Sequence, residues 1–250
     1  FTIRLVDAGH ILGSAIVEVW ATEGDTTSKV VFSGDLGNLN QPILKDPQLV
    51  READVLLIES TYGNRVHPEA RDVKAQLTKV IRDTFERGGK VVIPAFAVGR
   101  TQELLYHLRE LYHAGTFKKY ERCPVFLDSP LAIEATQIFN ESDSEDYYDR
   151  AALAAIARGE EILEFPQLKL SVTADDSRSI NAYEGSCIII SASGMCDAGR
   201  IRHHLKYTLW DERNTVLLVG FQAEGTLGRR LLGGEKQVRL LGDEVAVKAQ

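Results

Sequence analysis

Cysteine is scarce in this chain. Cys123, Cys187 and Cys196 are the only three, and none forms a CxxC pair. A disulfide framework, which draws on an even and dense set, is therefore excluded, and the three read as buried thiols. Also missing is any apolar run near the roughly 20 residues that a membrane-spanning helix needs. An excess of positive charge is missing too: 29 Lys and Arg against 36 Asp and Glu leave a formal net charge of −7. Bulk attraction to nucleic acid is thereby excluded, and any polyanion site must be a local basic patch on an acidic body. The opening FTIRLVDAGH has neither an initiator Met nor the charged-then-apolar pattern of a secretory leader. It reads as the interior of a longer reading frame. The closing EVAVKAQ alternates like a strand and then stops, so truncation is expected there as well. A cytoplasmic location is the expectation that follows from the thiols.

Internal repeats and low-complexity tracts are absent. What is present is 250 residues, 44% apolar and 26% charged, enough for one large or two modest domains around a sizeable core. Residues 1 to about 62 read as strands and turns. IRLVDAGH, AIVEVWA and KVVFSGD are short β-type runs. DVLLIES is a continuous apolar run, which predicts a buried strand delivering a side chain at its carboxyl end. From about residue 68 strands alternate with helices. Val73, Leu77, Val80, Ile81 and Phe85 recur at helical spacing, and Gly88-Gly89 supplies a stop. KVVIPAF follows as a buried strand, and TQELLYHLRELYH as an amphipathic helix with Leu104, Leu105, Leu108 and Leu111 inward. CPVFLDSP is another strand and LAIEATQIF another helix. An acidic and helical stretch covers about 141–163, and its ESDSEDYYD reads as a solvated loop. SCIIISASGM and NTVLLVGF complete the strands, and the last 20 or so residues return to β character. The fold class is α/β: a β-rich opening, then a domain whose alternation implies a largely parallel sheet covered on both faces.

In such a sheet functional groups gather at the carboxyl ends of strands, where helix N-termini also point. Four strands end in polar, turn-rich sequence: KVVFSGDLGN, DVLLIESTYGN, KVVIPAFAVGR and CIIISASGM. Each has an ordinary reading when taken alone. Asp35 could cap a turn, Glu59 could be solvated, and His10 in DAGHILGSA could be a structural histidine. Their coincidence carries more. A His, an Asp and a Glu each end a strand within 60 residues, beside glycine or a small residue. Imidazole plus carboxylate is what a hydrolytic zinc site requires, with an open position for water.

AGHILGSA, SGDLG and ESTYGNR, in this order and spacing, resemble the third and fourth metallo-β-lactamase motifs and the first motif of the β-CASP group of RNA-processing nucleases. PAFAVGRTQELL, FLDSPLA, SASGM and GFQAEGTLGRRLL are similar to that group's cap domain, so the resemblance covers nearly the whole chain. It implies a partial αββα metallo-β-lactamase sandwich with an inserted β-CASP α/β domain. Residues 1–62 would be the C-terminal part of the first half of the metallo-β-lactamase domain, 63–231 the cap, and 232–250 the start of the return. It also implies two zinc ions per complete site. His10 would be a ligand to one zinc and Asp35 the bridging carboxylate. Glu59 would sit beside the metals and, with a histidine, assist protonation of the leaving oxygen. Two zincs about 3.5–4 Å apart activate a shared water and clamp the attacking and leaving oxygens. The group's HxHxDH cluster and its two later histidine motifs are missing from this sequence, so the isolated chain is expected to bind zinc poorly and to be inactive.

No other histidine replaces those ligands. His203 and His204 are adjacent on an expected helix and cannot share a face. His107 and His113 belong to the amphipathic helix, and His67, after the Glu59 loop, is a lesser candidate. Gly99 and Arg100, at a helix start, could hold a phosphate through backbone N–H groups and a guanidinium, or be an ordinary helix start. Ser191, Ser193 and Gly194 could bring hydroxyl and backbone donors to a substrate, or form a tight turn. Arg229 with Arg230, and Arg200 with Arg202 and Lys206, make basic spots that charge pairing explains equally well. The resemblance implies endonucleolytic cleavage of single-stranded RNA, with 5′ exonucleolytic action as a second mode. It implies no membrane partner, two domains forming a substrate cleft, and a homodimer among the expected assemblies. The rivals are hydrolysis of another ester, a DNA-repair role, and an inactive scaffold in a processing complex. Ribonuclease J relatives look different around Asp35 and Glu59 and rank lower.

Overall fold

The computed structural model describes residues 1–64, 72–141 and 146–250. The chain divides into two compact units, Phe1–Ala70 with Ser142–Ile162, and Arg71–Glu141 with Leu163–Gln250. Its strands are β1 (Thr2–Asp7), β2 (Ala15–Glu23), β3 (Thr26–Phe32), β4 (Val55–Leu57), β5 (Val91–Pro94), β6 (Val125–Leu127), β7 (Leu168–Leu170), β8 (Ile188–Ser191), β9 (Thr215–Val216), β10 (Gln237–Leu240) and β11 (Asp243–Ala246). Its α-helices are α1 (Val73–Glu86), α2 (Arg100–His113), α3 (Pro130–Glu141), α4 (Arg150–Ala157), α5 (Ala174–Ala182), α6 (Ile201–Thr208) and α7 (Leu227–Leu232). Among the described residues no helix is long and apolar enough to cross a membrane.

The first unit holds a four-stranded sheet in the order β1-β2-β3-β4. The first three strands pair antiparallel, and β4 joins β3 in parallel. A two-residue turn at Gly24-Asp25, with Gly24 at φ 58°, closes the hairpin between β2 and β3. Register sorts the side chains onto two unlike faces. One carries Val6, Ile16 and Val31, which with Ala8, Leu36 and Val50 form a small core. Further along this face Glu18 is fully buried beneath Arg4 and Lys29, its cross-sheet neighbours and ion-pair partners. Those same two cations lie over the Trp20 ring, Arg4 at 5.7 Å and Lys29 at 5.0 Å. The opposite face reads Ile3, Leu5, Val17, Val19, Val30, Phe32, Val55 and Leu57 across the register. It is apolar yet open, with Ile3 and Leu5 each 63% exposed. The expected burial of DVLLIES is therefore corrected: Val55, Leu56, Leu57 and Ile58 are all exposed. An apolar run reports what a strand would bury, and no described residue covers this edge strand.

Helix α4 is built onto the same unit. Asp149 caps it by accepting from Ala152 N–H at 2.7 Å, and its other oxygen accepts from Ile43 N–H at 3.1 Å.

The second unit is a parallel five-stranded sheet in the order β7-β6-β8-β5-β9. Val92 and Ile189 face a core made with α5, α6, α7 and the β10-β11 hairpin through Ile180, Ile201, Leu205, Leu227, Val238 and Leu240. Alternation puts Val91, Ile93, Ile188 and Ile190 on the other face, where they too are fully buried. Helix α1 packs there, with Leu77, Ile81 and Phe85 buried. The four leucines expected to point inward from α2 are all buried. Two expectations fell short, and three elements are additional. Val73 is exposed, NTVLLVGF keeps only two residues as β9, and the short β7, α5 and α7 were not anticipated.

Candidate functional site

Strand direction gathers three loops of the first unit. Because β2 opposes both β1 and β3, and β4 follows β3, the carboxyl ends of β1, β3 and β4 share one sheet edge. His10, Asp35 and Glu59 lie in the loops leaving that edge. Gly37 N–H donates to Ala8 O at 2.8 Å, and a Cβ at Gly37 would stand 1.8 Å from the Gly9 oxygen. Only glycine permits this approach. Ser33 N–H donates to Leu57 O at 2.9 Å, and Glu59 N–H donates to Ser33 Oγ at 3.1 Å. Glu59 then ties the loops back together. Its Oε1 accepts from Leu36 N–H at 3.1 Å and its Oε2 from Thr61 N–H at 3.2 Å.

These bonds hold the Glu59 carboxyl below the ordinary carboxylate range. The Thr61 hydroxyl contributes most, then the Leu36 and Thr61 N–H groups; burial opposes them, and the charge of His10 adds to the lowering. His10 thus lies within electrostatic reach of Glu59, with its backbone N–H fixed on Ser14 Oγ at 3.0 Å. The His10 and Asp35 side chains are exposed. One imidazole and two carboxylates thus leave the same end of this sheet. Among the described residues, however, no group of three or more His, Cys, Asp and Glu could hold a metal ion. These donors alone do not complete a metal centre. His67 lies outside the described residues.

At the carboxyl edge of the second sheet the centre is Asp128, just after β6, with no exposed surface. Its Oδ2 accepts from Ser177 Oγ and from His204 Nε2, each at 2.6 Å, and its Oδ1 from Arg200 Nη1 at 2.8 Å. Arg200 continues to Ser171 O and Val172 O, both at 3.0 Å, and so joins the ends of β6 and β7 to the start of α6. Burial alone would raise the carboxyl, but the donors, led by His204 and Ser177, outweigh it and push it down to about 2. Sequence reasoning passed over this residue. FLDSPLA was noted as a motif, and the logic applied to Glu59, a carboxylate closing an apolar strand, would have singled out Asp128. His203 is exposed and His204 buried, as adjacency on a helix requires.

The other expected substrate residues lie on this edge. Ser191 is 1% exposed, and its hydroxyl donates to Asp128 O at 2.7 Å. Ser193 Oγ accepts from Ala198 N–H at 3.3 Å, and Gly194 O accepts from Gln222 Nε2 at 3.0 Å. Gly99 N–H donates to Gln102 Oε1 at 2.7 Å, and Arg100 pairs with Glu103. Among the basic spots, Arg230 pairs with Glu235, Lys206 with Asp243, and Arg200 with Asp128.

A Beta-Casp domain model matches residues 101–231. Ribonuclease TTHA0252 of Thermus thermophilus is 37% identical over 242 residues, covering 97% of this chain and 54% of that protein. Transcription termination factor FttA of Methanocaldococcus jannaschii is 35% identical over 250 residues, covering 96% of this chain and 37% of the factor. An RNase J-like protein of the same organism is 34% identical over 250 residues, covering 99% of this chain and 55% of its own length. By identity the RNase J-like relative stands level with the termination factor, against the lower rank that the Asp35 and Glu59 motifs gave that branch. The chain spans between about a third and about half of the length of these relatives.

Proposed function

The chain belongs to the β-CASP family of metallo-β-lactamase RNA-processing nucleases, and from that membership we propose that its full-length protein is a zinc-dependent phosphodiesterase cleaving single-stranded RNA. The observation that carries this reading is the convergence of His10, Asp35 and Glu59 on one sheet edge, locked by Gly37 against Ala8 and by Glu59 against Leu36. Endonucleolytic cleavage is the primary mode, and 5′ exonucleolytic action the second.

In this reading residues 1–62 belong to the metallo-β-lactamase domain and 63–231 to the β-CASP cap, whose end coincides with the end of the family match at 231, while Ser142–Ile162 within that span packs with the first unit. Residues 232–250 are read as the start of the return to the metallo-β-lactamase domain, and their β10-β11 hairpin packs on the core of the second unit. The open apolar sheet face of the first unit is what one half of a sandwich presents before its partner sheet covers it. His10 and Asp35 contribute ligands to a two-zinc centre whose remaining donors lie elsewhere in the full-length protein. Zinc, when bound, supplies Lewis acidity and an activated water. Asp35, exposed, would offer a carboxylate to the metal, and His10 a single nitrogen lone pair. Glu59 is ionised at neutral pH and so is a poor proton donor itself. It orients a histidine that carries the proton to the leaving oxygen, while it holds Leu36, and hence Asp35, in place.

The test is zinc content and cleavage of a labelled single-stranded RNA by the full-length protein, alongside Asp35→Ala. About two zincs with cleavage lost in the variant upholds the reading. Bound zinc with intact RNA overturns the substrate assignment, and a protein that binds no zinc is not this enzyme.

A further inference from the structure

The segment leaving β5 presents an aromatic ring that nothing above employs. In the order β7-β6-β8-β5-β9, this segment is flanked by the segments that follow β8 and β9. Its backbone is fixed by the segment that ends β8 and by two buried side chains. Ala95 N–H donates to Ser191 O at 3.1 Å, Thr101 Oγ1 to Phe96 O at 2.7 Å, and Gln102 Nε2 to Ala97 O at 3.1 Å. Thr101 and Gln102 are both buried.

On this rigid base the Phe96 side chain is 44% exposed. Its covered side lies against glycine. A Cβ at Gly194 would meet ring atoms at 2.9 and 3.1 Å, and one at Gly220 would meet the ring at 4.0 Å. Gln222 pins both glycines through their carbonyls, at 3.0 and 3.1 Å. Close by in the chain fold, Gly228 N–H donates to Met195 O at 2.9 Å, which fastens α7 and its exposed Arg229 to the same segment as Gly194. An aromatic ring on a preset backbone against glycine, with an exposed arginine on the helix fastened to the same segment, combines the two elements that hold a single strand: a stacking surface and a cation for a nearby phosphate. A lone exposed ring with a cation on the adjoining helix suits a base, whereas a protein partner calls for a broader apolar patch.

We propose that Phe96 is a stacking platform for one nucleobase of single-stranded RNA, with Arg229 engaging the backbone next to it. This rests on the RNA-cleaving reading above. The experiment measures binding of an oligouridylate and of the same oligomer with one abasic position, stepped along its length, to the full-length protein and to its Phe96→Leu and Phe96→Trp forms. Thermal melting confirms that each variant folds. We expect Phe96→Leu to bind the intact oligomer about tenfold more weakly. Phe96→Trp should restore the affinity, and one abasic position should erase the difference between wild type and Phe96→Leu. Equal affinity of folded Phe96→Leu and wild type for the intact oligomer would overturn the platform while leaving the enzyme reading intact. A wild-type protein that binds no RNA would overturn the enzyme reading and the platform with it.

Discussion

Asp128 and Glu59 both close short apolar strands, yet their surroundings give them different consequences. Asp128 is sealed from water with His204, Arg200 and Ser177 around it. Removing its charge takes the anionic acceptor from the buried His204 and the partly exposed Arg200, so Asp128→Asn should cost about 3 kcal/mol at neutral pH, read from denaturant unfolding. The pH dependence follows from a lowered carboxyl. Its stabilisation is fully present above the unfolded-state value near 4 and is lost as pH falls through about 2. Acid unfolding of Asp128→Asn should therefore show a shallower limb across that window. Glycines make a second comparison. Gly37→Ala forces a Cβ onto the Gly9 carbonyl and should cost at least about 1–3 kcal/mol, with loss of cleavage in the full-length protein. Gly13, at φ 80° with open space around it, should cost only about 1–2 kcal/mol of backbone strain as alanine and leave cleavage in place. Melting curves and turnover of the two variants separate the mechanisms.

Helix starts differ in how much they hold together. Asp72 caps α1 and does nothing more in the described contacts, whereas Asp149 caps α4 and also binds Ile43 N–H. Asp72→Ala should cost about 1 kcal/mol and Asp149→Ala about 2, the cap plus one further hydrogen bond. Hydrogen exchange should quicken at Ile43 only in the second. The same scale explains what the sequence could and could not convey. The α2 leucines recur at helical spacing, and a helix with such a stripe has one way to bury it. In α5, ADDSRSINA buries only Ser177 and Ile180, so the helix depends on its Thr173 cap and on neighbours distant in sequence. No periodicity announces such an element. The sequence singles out His10, Asp35 and Glu59 because each sits beside its own strand's turn. The partners of Asp128 lie 49, 72 and 76 residues away, and only the sheet order brings them together.

For the molecule as a whole, the open face of the first sheet is the feature with the largest physical consequence. Ile3, Leu5, Phe32, Val55 and Leu57 leave a continuous apolar surface in water, of the kind that marks an interaction site or an aggregation liability. The 250-residue chain alone should bind a hydrophobic reporter dye strongly. The double variant Ile3→Thr with Leu57→Thr should roughly halve that signal with only a modest fall in melting temperature, because Ile3 is 63% and Leu57 48% exposed and each gives up only part of its burial. Unchanged dye binding would place the apolar surface elsewhere.

The ring that Arg4 and Lys29 flank has a spectroscopic sequel. Trp20 is one of two tryptophans in the chain, and the other, Trp210, stands exposed just beyond α6 in the second unit. Each unit thus carries one tryptophan, and the two differ in surroundings: one indole is flanked by fixed cations, the other is about half exposed. Replacing either with phenylalanine leaves an emission band that follows a single unit, so the unfolding of the two halves can be timed separately without attaching any label.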